Sequence, residues 1–292
     1  MFEYQHLRAL EAVIANRGFE RAAQKLFITQ SAVSRRIRQL ELLIGEPVLV
    51  RSQPPVATAA GIRLLTHLQQ VIQLEASLGM QTHDSSKEPG ILAVRMAVNA
   101  DSLATWLPRA LTLQDEKFSF DFLVEDQSVS LKRMKQGEVM VCICSSEEAV
   151  NGGKSVFLGA LRYRAVASPA FLATHNITSS DDLLKAPCLV FDHNDRTQHD
   201  FLSKYAGGEP EYIHWCPSSE GFRQAMLAGM GYGMLPDLQI ESGIDTGELV
   251  DLFPGKVMDI PLYWHYWQSE SPQMKALREH VIETAKSYLV AV

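Results

Sequence analysis

Two helical patterns stand only two residues apart near the start of the chain. Apolar side chains recur at helical spacing through residues 19–26 and again through residues 33–44. Phe27 and the residue after it separate the first pattern from Thr29, whose hydroxyl can cap the second helix, and Gly45 then ends that helix. So short a turn between two short helices is the signature of a helix-turn-helix.

The second helix of this motif carries two different faces. Val33, Ile37 and Leu40 cluster on one side at 100° per residue, and short polar and guanidinium side chains occupy the other. Arginine can bind guanine or phosphate, glutamine suits adenine, and serine lets a helix enter the major groove. Base contacts are predicted from Gln30, Ser31, Ser34 and Arg35, and phosphate contacts from Arg36 and Arg38, with Thr29 at the capped end. Because Arg36 projects nearer the apolar face, an intrachain ion pair is its alternative role.

A short hairpin is predicted directly after this helix. The segment EPVLVRSQPPVATAAG alternates like two short strands, and Pro54 and its proline neighbour exclude a helix. We interpret the hairpin as a wing and predict a phosphate contact from Arg51. Together with the apolar stripe of residues 7–14, these elements predict a winged helix-turn-helix domain over residues 1–60. The alternative for its charged face is the solvated side of an ordinary helix.

A long amphipathic helix is expected to follow, with Thr58 as its cap. Its apolar side is broad, and an exposed stripe of that length would aggregate unless another surface covered it. We therefore predict a linker helix over residues 58–82 that joins two subunits, with packing back onto its own body as the alternative. The predicted dimer contacts are Leu65, Leu68 and Ile72. The polar stretch at residues 83–90 is predicted to be a hinge.

Charge is distributed unevenly along the chain. Residues 1–65 contain nine Lys/Arg and five Asp/Glu, a net charge of +4. The whole chain has a net charge of −7, so the remaining residues carry −11. A basic segment suits a polyanion, whereas an acidic body suits a cationic ligand or serves solubility alone. The sequence shows no membrane-spanning run and no signal peptide, so we predict a cytoplasmic, nucleoid-associated protein with no membrane partner. The four cysteines are expected to be reduced and mostly buried.

Strand and helix patterns alternate from Ile91 onward, which predicts an α/β domain on a largely parallel sheet. Open sheets of this kind bind ligands beyond the carboxyl ends of their strands. The candidate effector-binding residues at these ends are Asn99, Asp101, Ser102, Glu125, Asp126, Asp192, His193, Ser219 and Glu220. No phosphate-binding loop, HExxH motif or nucleophile elbow is present. We therefore predict no catalytic residue, no metal site and no cofactor.

Several segments resemble a known family. Residues 8–51, RALEAVIANRGFERAAQKLFITQSAVSRRIRQLELLIGEPVLVR, resemble the DNA-binding end of LysR-type transcriptional regulators, and TAAGIRLL resembles the start of their linker helix. VNADSLATWLPRAL, VEDQS, VFDHNDRTQHDFL and LYWHYW resemble the branch that senses lysine and arginine and controls basic-amino-acid export. The resemblance implies a two-lobed effector domain like periplasmic binding proteins. Lobe I is predicted at 91–162 with 266–292, and lobe II at 163–265.

The resemblance also implies partners. These are double-stranded operator DNA with inverted-repeat half-sites, RNA polymerase, and a second subunit in a homodimer that assembles to a homotetramer. For a lysine or arginine co-effector, Ser102 and the helix N-terminus near it are predicted to hold the α-carboxylate, and the acids to hold the cationic end. Three alternatives stay open: an architectural DNA-binding protein of low specificity, a relative that senses another organic ligand, and a solute-binding or enzymatic α/β protein.

Overall fold

The computed structural model describes residues 3–77, 91–112, 118–124, 130–240 and 242–291. Three helices begin the chain: α1 (Tyr4–Ala15), α2 (Phe19–Lys25) and α3 (Gln30–Ile44). Thr29 caps α3, because its side-chain oxygen accepts a hydrogen bond from the Ala32 amide at 3.2 Å. Gly45 ends the helix in the left-handed conformation, with φ +82°. The predicted helix-turn-helix and both of its boundary signals are confirmed.

The predicted hairpin and linker helix follow. Strand β1 (Leu49–Val50) pairs antiparallel with β2 (Val56–Ala57), and α4 (Ala59–Ser77) comes next. The hydroxyl of Thr58 accepts from the Gly61 amide at 3.1 Å, as its predicted capping role requires. Residues 78–82, which end the predicted linker, and the predicted hinge at 83–90 lie outside the described residues.

The apolar stripe of α4 packs inside its own chain. Leu68 is fully buried and Leu65 is 4% exposed, both in the core that α1, α2 and α3 form. Ile72 is half-buried at the edge of the same core. Leu65 and Leu68 are therefore core residues with no surface to offer a second subunit, and their assignment as dimer contacts was wrong. The alternative, in which the helix packs onto its own chain, therefore accounts for this end of α4.

The linker helix also touches the second half of the chain. The contact is made by the turn that follows α7 (Ser130–Lys135), where Gly137 has φ +68°. A Cβ atom at Gly137 would lie 3.1 Å from Leu65 Cβ and 3.3 Å from the Thr66 backbone nitrogen. A side chain here would force Leu65 or Thr66 to shift by a few tenths of an ångström, whereas glycine avoids this crowding and also tolerates the backbone angle.

The second half of the chain is built around one mixed sheet. Its remaining elements are β3 (Leu92–Val98), α5 (Ala100–Ala104), α6 (Leu107–Ala110), β4 (Phe118–Val124), β5 (Val141–Cys144), β6 (Gly153–Ala167), α8 (Pro169–His175), α9 (Ser180–Lys185), β7 (Pro187–Val190), α10 (Thr197–Tyr205), β8 (Tyr212–Trp215), α11 (Ser219–Leu227), β9 (Gly233–Pro236), α12 (Asp237–Ile240), β10 (Val250–Asp251), β11 (Met258–Trp267) and α13 (Pro272–Ala285). Within the described ranges, seven strands form the order β10–β6–β11–β5–β3–β4, with β9 paired to β6.

The expectation of a largely parallel sheet was wrong. Strand β3 pairs parallel with β4 and β5, and β7 pairs parallel with β8. The long strands β6 and β11 instead run antiparallel to each other, and each has a further antiparallel neighbour. The predicted lobe boundaries, after 162 and after 265, fall inside β6 and β11. These two strands therefore connect the two halves of the α/β region.

The cysteines agree with the expectation of buried, reduced thiols. None of the four, all of which lie in the described ranges, forms a disulfide; Cys142, Cys144 and Cys188 are buried, whereas Cys216 is partly exposed. Cys142 and Cys144 sit in β5 at the middle of the sheet, where both are fully covered. None of the helices in the described ranges combines the length and the apolar character needed to span a bilayer.

Candidate nucleic-acid interface and ligand cleft

Helix α3 presents the two faces that its sequence predicts. Val33, Ile37 and Leu40 are fully buried against α1 and α2. The residues predicted to face bases lie opposite: Gln30, Ser31 and Arg35 are exposed and Ser34 is half-buried. Thr29 and Ser31 share a hydrogen bond of 3.0 Å between their hydroxyls at the exposed end. A polar, cationic surface of short side chains therefore surrounds the N-terminal half of α3.

The predicted phosphate contacts differ in their surroundings. The Arg36 guanidinium donates to the side-chain oxygen of Gln5 at 2.9 Å, an intrachain hydrogen bond to a neutral group rather than the ion pair predicted as its alternative. Arg51 lies 3.8 Å from the Glu41 carboxylate at the base of the wing, and its side chain is 56% exposed. Arg38 is exposed. The exposed cations thus lie along α3 and at the wing, on the same edge of the domain.

The second half of the chain contains a cleft of about 550 Å³, including the space at its mouth. Its lining residues come from both halves of the α/β region, which β6 and β11 connect. They come from the end of β3 and the start of α5, from the loop after β7, and from α10, α11, β9 and α12. The cleft therefore lies where the sequence predicted a ligand, beyond the carboxyl ends of β3 and β7.

Asp101 lies at the centre of a hydrogen-bond network in this cleft. Tyr163 donates to one carboxylate oxygen at 2.7 Å, and Ser219 donates to the other at 2.5 Å. Gln239 in turn donates to the Ser219 hydroxyl at 2.8 Å. Enclosure of the carboxyl raises the pKa of Asp101 above its ordinary value, the two hydrogen bonds oppose this rise, and the charge of Asp195 adds to it.

Acceptor oxygens dominate the polar lining. Neither amide atom of the buried Asn99 has a hydrogen-bond partner among the described residues, and the same holds for the side-chain oxygens of Gln198 and Gln239. Asp101 and Asp195 add two carboxylates, and no described lining residue is basic. Buried polar atoms normally have a partner, so this lining favours a ligand rich in hydrogen-bond donors.

The structure places some of the predicted effector residues at the cleft. Asn99, Asp101 and Ser219 line it. Asn99 is the N-cap residue of α5 and Asp101 lies in its first turn, directly after β3, and Ser219 is the first residue of α11. Glu125 and Asp126, which were also predicted, lie outside the described residues.

Two predicted effector residues instead form hydrogen bonds within their own segments of the chain. Ser102 is fully buried and does not line the cleft, and its hydroxyl accepts from the Trp106 indole N–H at 3.0 Å, so it is not placed to hold a ligand carboxylate there. The Asp192 carboxylate turns back onto the chain and accepts from the Asn194 and Asp195 amides at 2.8 and 3.1 Å. Aspartate stabilises tight turns in this way. Neither residue lines the cleft.

Two further predicted residues face solvent away from the cleft. The exposed His193 ring packs against Trp215 in a tilted arrangement, with 4.0 Å between the ring centroids. The exposed Glu220 accepts from the Gln224 side chain one helical turn later, at 2.8 Å. Both residues lie in segments that border the cleft, but their own side chains are exposed to solvent and do not line it.

Several lining residues were not predicted. They are Ala100, Tyr163, Phe191, Asp195, Thr197, Gln198, Phe222, Met234, Leu235 and Gln239. Asp195 had a signal, since it ends the same strand-to-helix segment as Asp192. Its carboxylate accepts from the Phe191 and Thr197 amides at 3.2 and 2.8 Å. Tyr163 in the middle of β6 and Gln239 in α12 had none, because only the tertiary fold brings them to the cleft.

Family comparisons cover both halves of the chain. The bacterial regulatory helix-turn-helix family of lysR type matches residues 4–62, and the LysR substrate binding domain matches residues 92–286. Among curated proteins, the HTH-type transcriptional regulator ArgP of Pseudomonas aeruginosa is 46% identical over 297 residues, covering 100% of this chain and 99% of that protein. ArgP of Pseudomonas fluorescens is 44% identical over 294 residues, with 99% of each covered.

Solved structures give the same picture. The crystal structure of ArgP from Mycobacterium tuberculosis superposes with a TM-score of 0.84 at 32% identity and covers 100% of both chains. Full-length LysG of Corynebacterium glutamicum with its bound effector arginine superposes with a TM-score of 0.77 at 29% identity, covering 99% of this chain and 100% of that one. The likeness thus includes the helix-turn-helix, the linker helix and the cleft-bearing half.

Proposed function

Because the chain belongs to the LysR family of transcriptional regulators, we propose that it binds operator DNA through α3 and the wing and responds to lysine or arginine in the cleft. It is a regulator and not an enzyme. The resemblance to the basic-amino-acid-sensing branch agrees with the ArgP and LysG relatives. The remaining questions concern the ligand, the operator and the assembly.

One observation carries the ligand proposal: two carboxylates, Asp101 and Asp195, face the cleft, and no basic side chain is found among its described lining residues. An anionic effector would meet repulsion there, whereas an ammonium or guanidinium group would meet charge-assisted acceptors. Guanidinium offers five N–H donors, which suits a lining with unpartnered oxygens on Asn99, Gln198 and Gln239. The related LysG structure holds arginine.

The two ends of the ligand need different partners. We assign the distal cation to Asp101 and Asp195 and the aliphatic stem to Met234 and Leu235, which line the cleft together with the carboxylates. The unpartnered amide nitrogen of Asn99 is a donor for the α-carboxylate, in place of Ser102, which is fully buried and does not line the cleft. The direct test is calorimetry of the full-length protein with lysine, arginine, glutamate and benzoate. Tighter binding of either anion than of both basic amino acids would refute this assignment.

Binding of a basic amino acid is expected to depend on pH through Asp101. Its pKa is raised, so a cation that needs the ionised carboxylate displaces a proton at and below that pKa. Affinity should therefore fall as the pH falls through the raised pKa, by up to about tenfold per pH unit. Fold stability has the opposite sign, because the protonated carboxyl is favoured in the folded state. That stabilisation is complete below the ordinary aspartate pKa and is lost as the pH rises through the raised value.

Calorimetry of arginine binding in two buffers of different ionisation enthalpy measures this proton release directly. The Asp101→Asn variant has no titrating group at this position and is the control for the contributions of Asp195 and other acids. A wild-type affinity that stays flat with pH, without proton release, would show that Asp101 does not hold the cation.

Arg35 and Arg38 offer a matched test of the DNA interface, because both are exposed on α3 and both lose one guanidinium on substitution by alanine. Arg35→Ala is expected to cost about 1–3 kcal/mol at the specific operator and to relax discrimination between sequences. Arg38→Ala should weaken specific and non-specific DNA alike and flatten the salt slope by about one. Fluorescence titrations over a range of salt concentrations separate the two. Unchanged specific binding by the Arg35 variant would mean that α3 docks differently.

The assembly proposal follows the family organisation. A homodimer that assembles to a homotetramer would present paired helix-turn-helix domains to inverted-repeat half-sites, about one helical turn or a multiple of it apart. The dimer surface must use the part of α4 that its own domain leaves open, which keeps Ile72 as a candidate. An RNA polymerase contact is part of the same proposal. An architectural protein of low specificity would instead show similar affinity for operator and random DNA, and genome-wide footprinting with and without lysine or arginine separates the two.

A further inference from the structure

The turn between α2 and α3 holds a phenylalanine out in solvent. Phe27 is 95% exposed, and the next large apolar side chain among the described residues, Leu42, is 77% exposed. A ring of this size stabilises a fold only when it is removed from water. Phe27 therefore contributes almost nothing to the core of its own domain.

The backbone at Phe27 is unfavourable as well. Its φ of +54° lies in the left-handed region, which glycine and asparagine enter more readily than phenylalanine. The turn itself needs this angle, since the Phe27 amide donates to the Gln24 carbonyl and the Ile28 amide donates to the Ala23 carbonyl to close α2. The turn thus explains the angle but not the choice of side chain. A residue that is unfavourable in both respects is expected where it contacts a partner.

The surroundings of the ring indicate the charge of that partner. Residues 21–40 contain five basic residues and no acidic residue. Lys25 is exposed on one side of Phe27 in the chain, and Gln30 and Arg35 are exposed on the other. A polyanion that reaches the start of α3 must therefore approach beside the Phe27 ring.

We propose that Phe27 is itself a DNA contact, with its ring packed against deoxyribose and base edges at the rim of the major groove that α3 enters. The inference rests on the proposed function of α3. It adds an apolar contact to an interface whose other predicted members donate hydrogen bonds or form ion pairs. Deoxyribose carbons and thymine methyl groups are the apolar surfaces that duplex DNA offers at this position.

The test is the Phe27→Asn variant of the full chain, because asparagine accepts the left-handed angle without the ring. Operator affinity should fall about tenfold. The salt slope should be unchanged, since no charge is removed, which distinguishes this loss from that of a phosphate contact. Thermal unfolding should occur at the wild-type temperature or slightly above it. Wild-type operator affinity in this variant would overturn the proposal.

Leu42→Asn is the matched control, because it removes another large exposed apolar group, at the other end of α3. It should leave operator affinity unchanged. If sedimentation shows that Phe27→Asn alters the oligomeric state, the ring belongs to an interface between copies of the chain, and the proposal is overturned. The Arg35→Ala variant separates the two levels of inference. Loss of binding in that variant with none in Phe27→Asn refutes only the ring contact, whereas unchanged binding in both refutes DNA docking by α3.

Discussion

Asp101→Asn is expected to weaken lysine or arginine binding by about 30- to 1,000-fold, or roughly 2–4 kcal/mol, because it leaves the ligand cation without its enclosed counter-charge. The asparagine oxygen can still accept from Tyr163 or Ser219, so the network keeps much of its shape. The variant should also be at least as stable as the wild-type protein near neutral pH, since the raised pKa of Asp101 means that its charge is unfavourable in the fold.

Glu220→Gln is the matched control for this substitution. It removes a carboxylate one residue from Ser219, but the Glu220 side chain is exposed and bonded to Gln224. Calorimetry with arginine should give wild-type affinity for this variant. A large loss in Glu220→Gln with little loss in Asp101→Asn would place the cation outside the cleft.

The second large effect is expected in the DNA-binding half. Leu68→Glu buries an unpaired charge in the core between α1 and α4, where the leucine is fully enclosed. The cost should exceed about 4 kcal/mol, which is comparable to the whole stability of a small domain. We expect the helix-turn-helix domain to unfold and DNA binding to disappear. Arginine binding should persist, because the described residues that line the cleft all belong to the other half of the chain.

Circular dichroism and arginine calorimetry on the same sample measure both effects, and Leu42→Glu provides an exposed leucine in the same domain as a control. That control should remain folded. A Leu68→Glu protein that is folded but monomeric would restore the idea that Leu68 joins two subunits, and the intrachain core would then need another explanation.

The DNA-binding half was predictable because its signals are local. Thr29 caps α3 within three residues, Gly45 supplies the left-handed end, and the apolar spacing of α3 alone separates its buried and exposed faces. The role of Leu65 and Leu68 was not predictable in the same way. An apolar stripe shows that a surface will be covered, but it does not show whether the cover is α1 of the same chain or a second subunit.

The cleft was predictable only where it coincides with strand ends. Asn99 and Asp101 follow β3 directly, so a rule about strand ends finds them. Ser219 and Tyr163 meet Asp101 across separations of 118 and 62 residues, which no local pattern encodes. The antiparallel course of β6 and β11 is equally nonlocal, and it was missed for the same reason. Asp192 was preferred over Asp195 because both carboxylates accept from nearby backbone amides, and the sequence does not show which of them lines the cleft.

The close approach of Gly137 to Leu65 and Thr66 joins the two binding equilibria of the protein into one thermodynamic cycle. Helix α4 packs on the DNA-binding core on one side and meets the turn after α7 on the other. If a ligand in the cleft changes the free energy of DNA binding through this contact, DNA must change the free energy of ligand binding by the same amount, since linkage is reciprocal. Operator DNA would then change the affinity for the effector by the same factor by which the effector changes the affinity for the operator.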